Sequence, residues 1–247
     1  MSGPFEVTSF GVHGQQVAAW SPEGRLVLSQ NGGQDFEVIE TGSVLLNGLG
    51  WWKDELFLVG GQGLFQVSNG GLVSKATLDE SRLHEAFAVH GTEERLLIGH
   101  KDGILSTEDL KSFPASQGLI TRDLGPLITH PICPSLVWVG TQCERGLFFS
   151  ADWGDSLARV DEYLHYVMVP QVSLAEPGTL WVTSDDTLLR TENLGGSWEY
   201  ILRDTLQWHL HGLGLHPTDA DVAFIGTVGS GEFEDPNGMR VLRTQDE

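Results

Sequence analysis

The 247-residue sequence predicts an all-β fold, a six-bladed β-propeller with four-stranded blades, in one domain over residues 1–247. Three observations predict it. A unit of about forty residues recurs six times along the chain. Within each unit the apolar residues run in stretches of four to seven, rich in Val, Ile, Leu, Phe and Trp, and none sustains a 3.6-residue period over three turns. The 31 glycines cluster at the ends of those stretches, where a chain of short strands must turn.

The units begin near Val17, Glu55, Arg95, Leu136, Thr179 and Asp221. Each has a short apolar strand ending in Gly or Thr, a polar turn, a strand ending in Ser or Thr, then a Gly- or Asp-rich turn and an aromatic. The anchors Ser29, Ser68, Thr107, Ser150, Thr191 and Thr244 are spaced by 39, 39, 43, 41 and 53 residues. Four strands fit each unit. Innermost strands are exemplified by Ala86–His90 and Gly212–His216, and a fourth strand by Trp198–Leu202. A sheet of this size repeated radially hides its edges by closing on itself. The last unit stops at Thr244-Gln245-Asp246-Glu247, so the last blade is expected to be incomplete or closed by the N-terminus. For the N-terminus two alignments compete: Gly3-Pro4-Phe5-Glu6-Val7 as a borrowed outer strand, or Ser9–Gly14 as the innermost strand of the first blade. A weakly closed last blade, or a chain cut before its natural end, is expected.

The turns Ser29-x-Asn31-x-Gly33-x-x-Phe36, Ser150-x-Asp152-x-Gly154 and Thr191-x-Asn193-x-Gly195-x-x-Trp198 resemble the Asp-box, or BNR repeat. In it a carboxylate or amide caps its own turn, glycine takes a positive φ and an aromatic plugs the strands. The copies near Ser68 and Thr107 are degenerate; the second keeps Asp109 and Phe113 but is one residue short. His130-Pro131 and His216-Pro217 resemble the turn between first and second strands. The whole chain resembles the BNR-like propellers, which include sialidases, xyloglucan-degrading glycosidases, sortilin-type receptors and photosystem II assembly factors. The motif is structural and leaves the chemistry open. The resemblance to sialidases implies an arginine triad, a nucleophilic Tyr with a Glu and a Phe/Tyr-Arg-Ile-Pro signature. That signature is absent, and the tyrosines are Tyr163, Tyr166 and Tyr200.

Function is expected on the links from fourth to first strands and from second to third strands, which gather on the channel face. The first set carries His84, Glu85, Arg122, Asp123, His165, Tyr166, Trp208, His209 and His211. Imidazoles and carboxylates suit a divalent metal, with His84, His165, His209 and His211 as candidate ligands; alternation would point His209 and His211 to one side. The same groups could seat an acid/base pair of Glu85 and Asp123 with Arg122 orienting an anion, or be polar residues at the channel mouth. In the last unit an insertion of about ten residues over Thr227–Met239 carries Glu232, Phe233, Glu234 and Asp235: a lid, a partner-contact loop with a calcium-binding tendency, or a variable acidic loop. Candidate ligand-binding residues are therefore His84, His165, Tyr166, Trp208, Glu232 and Asp235. Trp51-Trp52 and Trp208 could stack on a sugar, whereas Trp138, Trp181 and Trp198 sit where packing is implied.

Composition narrows the partners. With 14 Lys+Arg against 34 Asp+Glu, the net charge is −20, and no basic cluster exists to displace counterions from nucleic acid or an anionic membrane. No apolar run reaches the roughly 18 to 20 residues of a membrane span, and the start lacks the pattern of a signal peptide. Cys133 and Cys143 flank an extended strand too long for a disulfide, so both are expected reduced, in keeping with a cytoplasmic location. The reading is a non-catalytic propeller that binds a small-molecule, glycan or protein ligand on its channel face. The alternatives are a glycosidase-like hydrolase using channel-mouth carboxylates and His, or a metal-dependent lactonase-like enzyme with an axial ion.

Overall fold

The structure is a computed structural model. It describes residues 9–21, 24–42, 44, 46–60, 63–76, 86–100, 103–118, 124–141, 146–161, 164, 166–184, 187–203, 208–229 and 239–244; for 9, 86–88, 161, 203, 208, 209, 228, 229, 239 and 240 only the backbone is described. Among these residues there are strands and no helix. The chain divides into two compact units, Met1–Ala115 and Ser116–Glu247.

In the first unit three antiparallel sheets follow one another. The first has β1 (Ser9–His13), β2 (Gln16–Ser21), β3 (Arg25–Ser29) and β4 (Glu37–Glu40); the second has β5 (Leu46–Trp52), β6 (Glu55–Gly60), β7 (Gly63–Ser68) and β8 (Gly71–Ala76). The third has β9 (Ala86–Gly91), β10 (Leu96–His100) and β11 (Gly103–Thr107). β1 pairs with β2, Phe10 opposite Ala19, so Ser9–His13 is the first strand of the first sheet and the second of the two N-terminal alignments holds. Gly3–Val7 lie outside the described residues.

The second unit repeats the plan. Its sheets are β12 (Leu124–Thr129), β13 (Val137–Thr141), β14 (Leu147–Ser150) and β15 (Ala158–Asp161); then β16 (Val167–Val172), β17 (Leu180–Ser184), β18 (Thr187–Thr191) and β19 (Glu199–Arg203). The last sheet has β20 (Trp208–Leu215), β21 (Ala223–Gly229) and β22 (Met239–Arg243). Strand order equals chain order in every sheet, with no crossover.

The apolar runs form strands because the second strand of a sheet is buried on both faces. On β6, Leu56 and Leu58 join Ala18, Trp20, Leu26 and Ile39 of the first sheet, while Phe57 and Val59 join Val89, Leu96 and Ile98 of the third. β17 divides in the same way: Leu180 and Val182 pack with Trp138 and Val167, and Trp181 with Leu210, Ala223 and Ile225. Outer strands such as β8 are half-exposed. Arg190 of β18 ties two sheets of the second unit together, its Nη1 donating to Asp221 at 2.8 Å and its Nη2 to Glu192 at 3.1 Å, with the guanidinium over the Trp181 ring.

Four turns after the third strand share one hydrogen-bond scheme. The hydroxyl of Ser29, Ser150 or Thr191 accepts from the backbone N–H of Gly33 (2.9 Å), Gly154 (2.8 Å) or Gly195 (3.0 Å) and donates to the side chain of Asn31, Asp152 or Asn193. That side chain then accepts the N–H of Asp35, Ser156 or Ser197. Two consecutive residues are left-handed in each: Gly32 and Gly33, Trp153 and Gly154, Leu194 and Gly195. The turn after Thr107, one residue shorter, keeps a single left-handed residue, Leu110 at φ 61°, whose N–H bonds the Thr107 hydroxyl at 2.9 Å. Desolvation would raise the carboxyl of Asp152, but hydrogen bonds from Ser156 and Ser150 outweigh it and hold the group below the usual carboxylate range.

The third sheet departs from the expected four strands. Among the described residues it has three, and the chain beyond Thr107 returns along β11 with Ser106 N–H donating to the Pro114 carbonyl (3.1 Å) and an isolated bridge between Leu105 and Ala115. Pro114, which offers no N–H, stands where a ladder would need a donor. The last sheet also shows three strands among the described residues.

Turns between first and second strands are a second repeated device. In the second unit His130, Ser173 and His216 each donate their N–H to a carbonyl six residues on, at 2.9 Å, and each side chain accepts a backbone N–H of the turn. His130 is buried; its Nδ1 accepts from Cys133 N–H at 3.0 Å, so Nε2 carries the proton that it gives to the Pro177 carbonyl at 2.7 Å. Cys133 is an exposed free thiol, and Cys143 lies outside the described residues.

Glycine sets the spacing of β5 and β9. A Cβ on Gly91 would overlap the carbonyl oxygen of Trp51, and one on Gly50 the carbonyl of Val89. Backbone cannot yield as a flexible side chain can, so Gly91→Ala and Gly50→Ala should each lower stability by about 2 kcal/mol or more in denaturant unfolding. A change within ~0.5 kcal/mol would mean that the strands are not this close.

Candidate functional site

The cavity that the first unit defines lies on its first strands. It has a volume of about 220 Å³ and is lined by Gly11, Val12 and His13 of β1, Leu49, Gly50 and Trp51 of β5, and Val89, His90 and Gly91 of β9. Each of these strands ladders on one side only, to β2, β6 or β10. The lining residues sit toward the C-terminal ends of β1, β5 and β9, near the turns into the second strands.

Alternation decides which side chains meet there. Leu49 and Trp51 face the first sheet, where the Trp51 ring lies against Gly11, at 2.7 Å from where a Cβ would stand. Val89 faces the second sheet, which puts His90 on the opposite face of β9. His13 stacks on Trp51, ring centroids 5.9 Å apart and planes within 18°, and its Nε2 meets Asp54 Oδ1 at 2.8 Å. Asp54 belongs to the two-residue turn Lys53–Asp54 that joins β5 to β6, and both its residues are left-handed, φ 52° and 62°. Such turns favour Asn, Asp or Gly, so Asp54 suits the backbone here and Lys53 does not. Lys53 places its ammonium 4.1 Å from the Trp52 ring centre.

Of the residues singled out from sequence, His84, Glu85, Arg122, Asp123, His165, Glu232 and Asp235 lie outside the described residues. Trp208 and His209 are placed on β20 by backbone alone, opposite Gly229 and Val228. His211 is exposed on the same strand, but the register shifts between Leu210 and Gly212, making His211 the extra residue of a bulge. The alternation expected to align His209 with His211 is therefore interrupted. Tyr166 is exposed and left-handed, φ 43°, just before β16. Trp51 and Trp52 are buried in two different apolar clusters, so packing, not an open sugar platform, is what these two rings do; Trp138 and Trp181 are buried as expected. Sequence reasoning missed His13 and Asp54. The signal was a polar pair in a turn of non-glycine residues, and its meaning depends on a contact across 41 positions.

No family model matches the chain, and no curated protein does. Solved structures do. The extracellular domain of BT4673, a one-component system protein from B. thetaiotaomicron, superimposes with a TM-score of 0.73 at 12% identity, over 100% of this chain and 37% of that one. The GH74 xyloglucanase from Xanthomonas campestris gives 0.71 at 13% identity, over 97% of this chain and 44% of that one. A chain of the mitotic checkpoint complex gives 0.71 at 13% identity, over 97% and 75%. The chain thus spans less than half the length of the first two. No helix among the described residues is long and apolar enough to cross a membrane.

Burial pushes His90 down from 6.5 to about 4. A lowered folded-state value means the unfolded chain binds the extra proton first, so the contribution of His90 to stability is complete above pH 6.5 and is lost as the pH falls toward 4. Unfolding free energy should drop by up to about 3 kcal/mol across that window from this residue, and His90→Gln should flatten the drop. An unchanged pH profile in the variant would remove His90 as the source.

At these identities the likeness speaks to fold alone: the neighbours are β-propeller proteins, and this chain is an all-β succession of small antiparallel sheets of the same kind.

Proposed function

We propose that the chain is a six-bladed β-propeller of the Asp-box type that acts as a non-catalytic binding module, holding a small-molecule or protein ligand on its first strands. Six sheets in chain order, the shared Ser/Thr hydroxyl turn and the propeller neighbours support the fold half of this reading. Phe10, Ala19, Val27 and Val38 stand opposite one another across the first sheet on the face away from its core cluster, with Phe10 70% exposed.

The cavity on β1, β5 and β9 carries the functional half. Its wall offers an indole, imidazole, aliphatic groups and strand backbone, a mixture suited to holding a small molecule. None of its nine lining residues is a carboxylate, whereas glycoside hydrolysis commonly takes two, about 5 to 9.5 Å apart across the scissile bond. A binding role therefore fits this cavity better than hydrolysis does.

Two measurements test the halves separately. A thermal-shift screen of metabolites and oligosaccharides, run beside a hydrolysis assay on the same glycosides, should yield stabilising ligands without turnover; turnover abolished by Glu85→Gln or Asp123→Asn would replace binding with catalysis. For the ring, Phe10→Asp should cost about 3 kcal/mol if closure buries the first sheet's outer face, against ~0.5 kcal/mol or less for a residue bare to water. The smaller value would sink closure.

A further inference from the structure

The ligand class follows from a polar side chain of the cavity wall, His13. The following rests on the binding reading above. His13 is clamped from two sides: its ring lies on Trp51, and its Nε2 is paired with Asp54 at 2.8 Å. A carboxylate can only accept, so Nε2 carries a proton, and in the neutral ring Nδ1 is then the acceptor on a side chain that lines the cavity. An aspartate that fixes the tautomer of a histidine is the arrangement that readies an imidazole to receive a hydrogen bond. The left-handed Lys53–Asp54 turn is the strained element that holds the carboxylate in place.

We propose that His13 is the polar anchor of the cavity, its Nδ1 accepting a hydrogen bond from the O–H or N–H of a neutral, single-ring ligand that fills the space between β1, β5 and β9. Size, surface and charge agree. A volume of about 220 Å³ equals roughly seven water molecules, and about 150 Å³ already accommodates benzene in an apolar cavity. Leu49 and Val89 supply aliphatic surface for a ring. The wall contains no Lys or Arg, Asp54 stands behind His13, and the chain carries a net charge of −20, so an anionic ring is disfavoured.

The test uses the full chain, labelled with 15N, and three single-ring probes: phenol, which has a donor; anisole, which has none; and benzoate, which is anionic. Phenol should shift the amides of Gly11, Gly50 and Gly91, with anisole and benzoate at least tenfold weaker. His13→Phe keeps the stack on Trp51 and removes the acceptor, and it should erase the preference for phenol over anisole. The 15N shifts of the His13 ring should report the Nε2–H tautomer in the free protein. Equal affinity for phenol and anisole, or a preference that survives His13→Phe, would overturn the role of His13 while leaving the cavity a binding site. Benzoate binding as tightly as phenol would overturn the ligand class. If no probe moves these amides, the binding reading itself falls.

Discussion

Backbone touching backbone without side chains between, at Gly50 and Gly91, is the constraint on which the first unit depends. With Trp51 and Val89 presenting their carbonyls to glycine Cα atoms, β5 and β9 approach at a distance no other residue permits. Such Cα–H contacts to carbonyls are weak one by one, but they fix register. Once these strands are locked, alternation leaves no choice: Leu49 and Trp51 face the first sheet and Val89 the second. The two apolar clusters and the cavity between β1, β5 and β9 are consequences of that lock.

At the strand ends the fold depends on small side chains that replace backbone partners. A hydroxyl in the turn after the third strand and an imidazole or hydroxyl in the turn after the first do the same work, accepting N–H groups that a tight reversal strands. His130, Ser173 and His216 are chemically unlike, yet each takes its place in a turn of the same hydrogen-bonded span. Geometry, not residue type, is what repeats there. The imidazole of His130 matters for this reason: its Nδ1 is the acceptor that two backbone N–H groups share.

The sequence was most informative where burial is two-sided. Leu56–Val59 and Leu180–Val182 read as continuous apolar runs because neighbours cover both faces of β6 and β17, and such runs are legible without knowing what the neighbours are. Turn chemistry was legible too, since Ser29, Ser150 and Thr191 act on residues two to six positions away. Three features were not. Pro114 ends the third sheet early although the spacing of its unit is regular. The bulge at His211 breaks an alternation that the spacing of two histidines seemed to promise. The cavity requires Gly11, Gly50 and Gly91 to meet, and nothing local marks these three among 31 glycines.

Packing and binding share residues at the joint of the first and second sheets. Trp51 belongs to the apolar cluster there, forms part of the cavity wall and carries the His13 ring. Asp54 holds that ring from the far side of the β5–β6 turn, so β1 is attached to β5 and β6 by stacking, by Gly11 against the indole and by one hydrogen bond. A ligand in the cavity would touch all three attachments. Because it would bind only when β1 is docked, its binding free energy adds to the stability of that docking in proportion to occupancy. The first strand is thereby the element whose order such a ligand would control most directly, and β1 is also the strand that bears Phe10 and Val12 on its other face. Whatever steadies β1 from the cavity side steadies its ladder with β2, which would couple the occupancy of the site to the integrity of the first sheet.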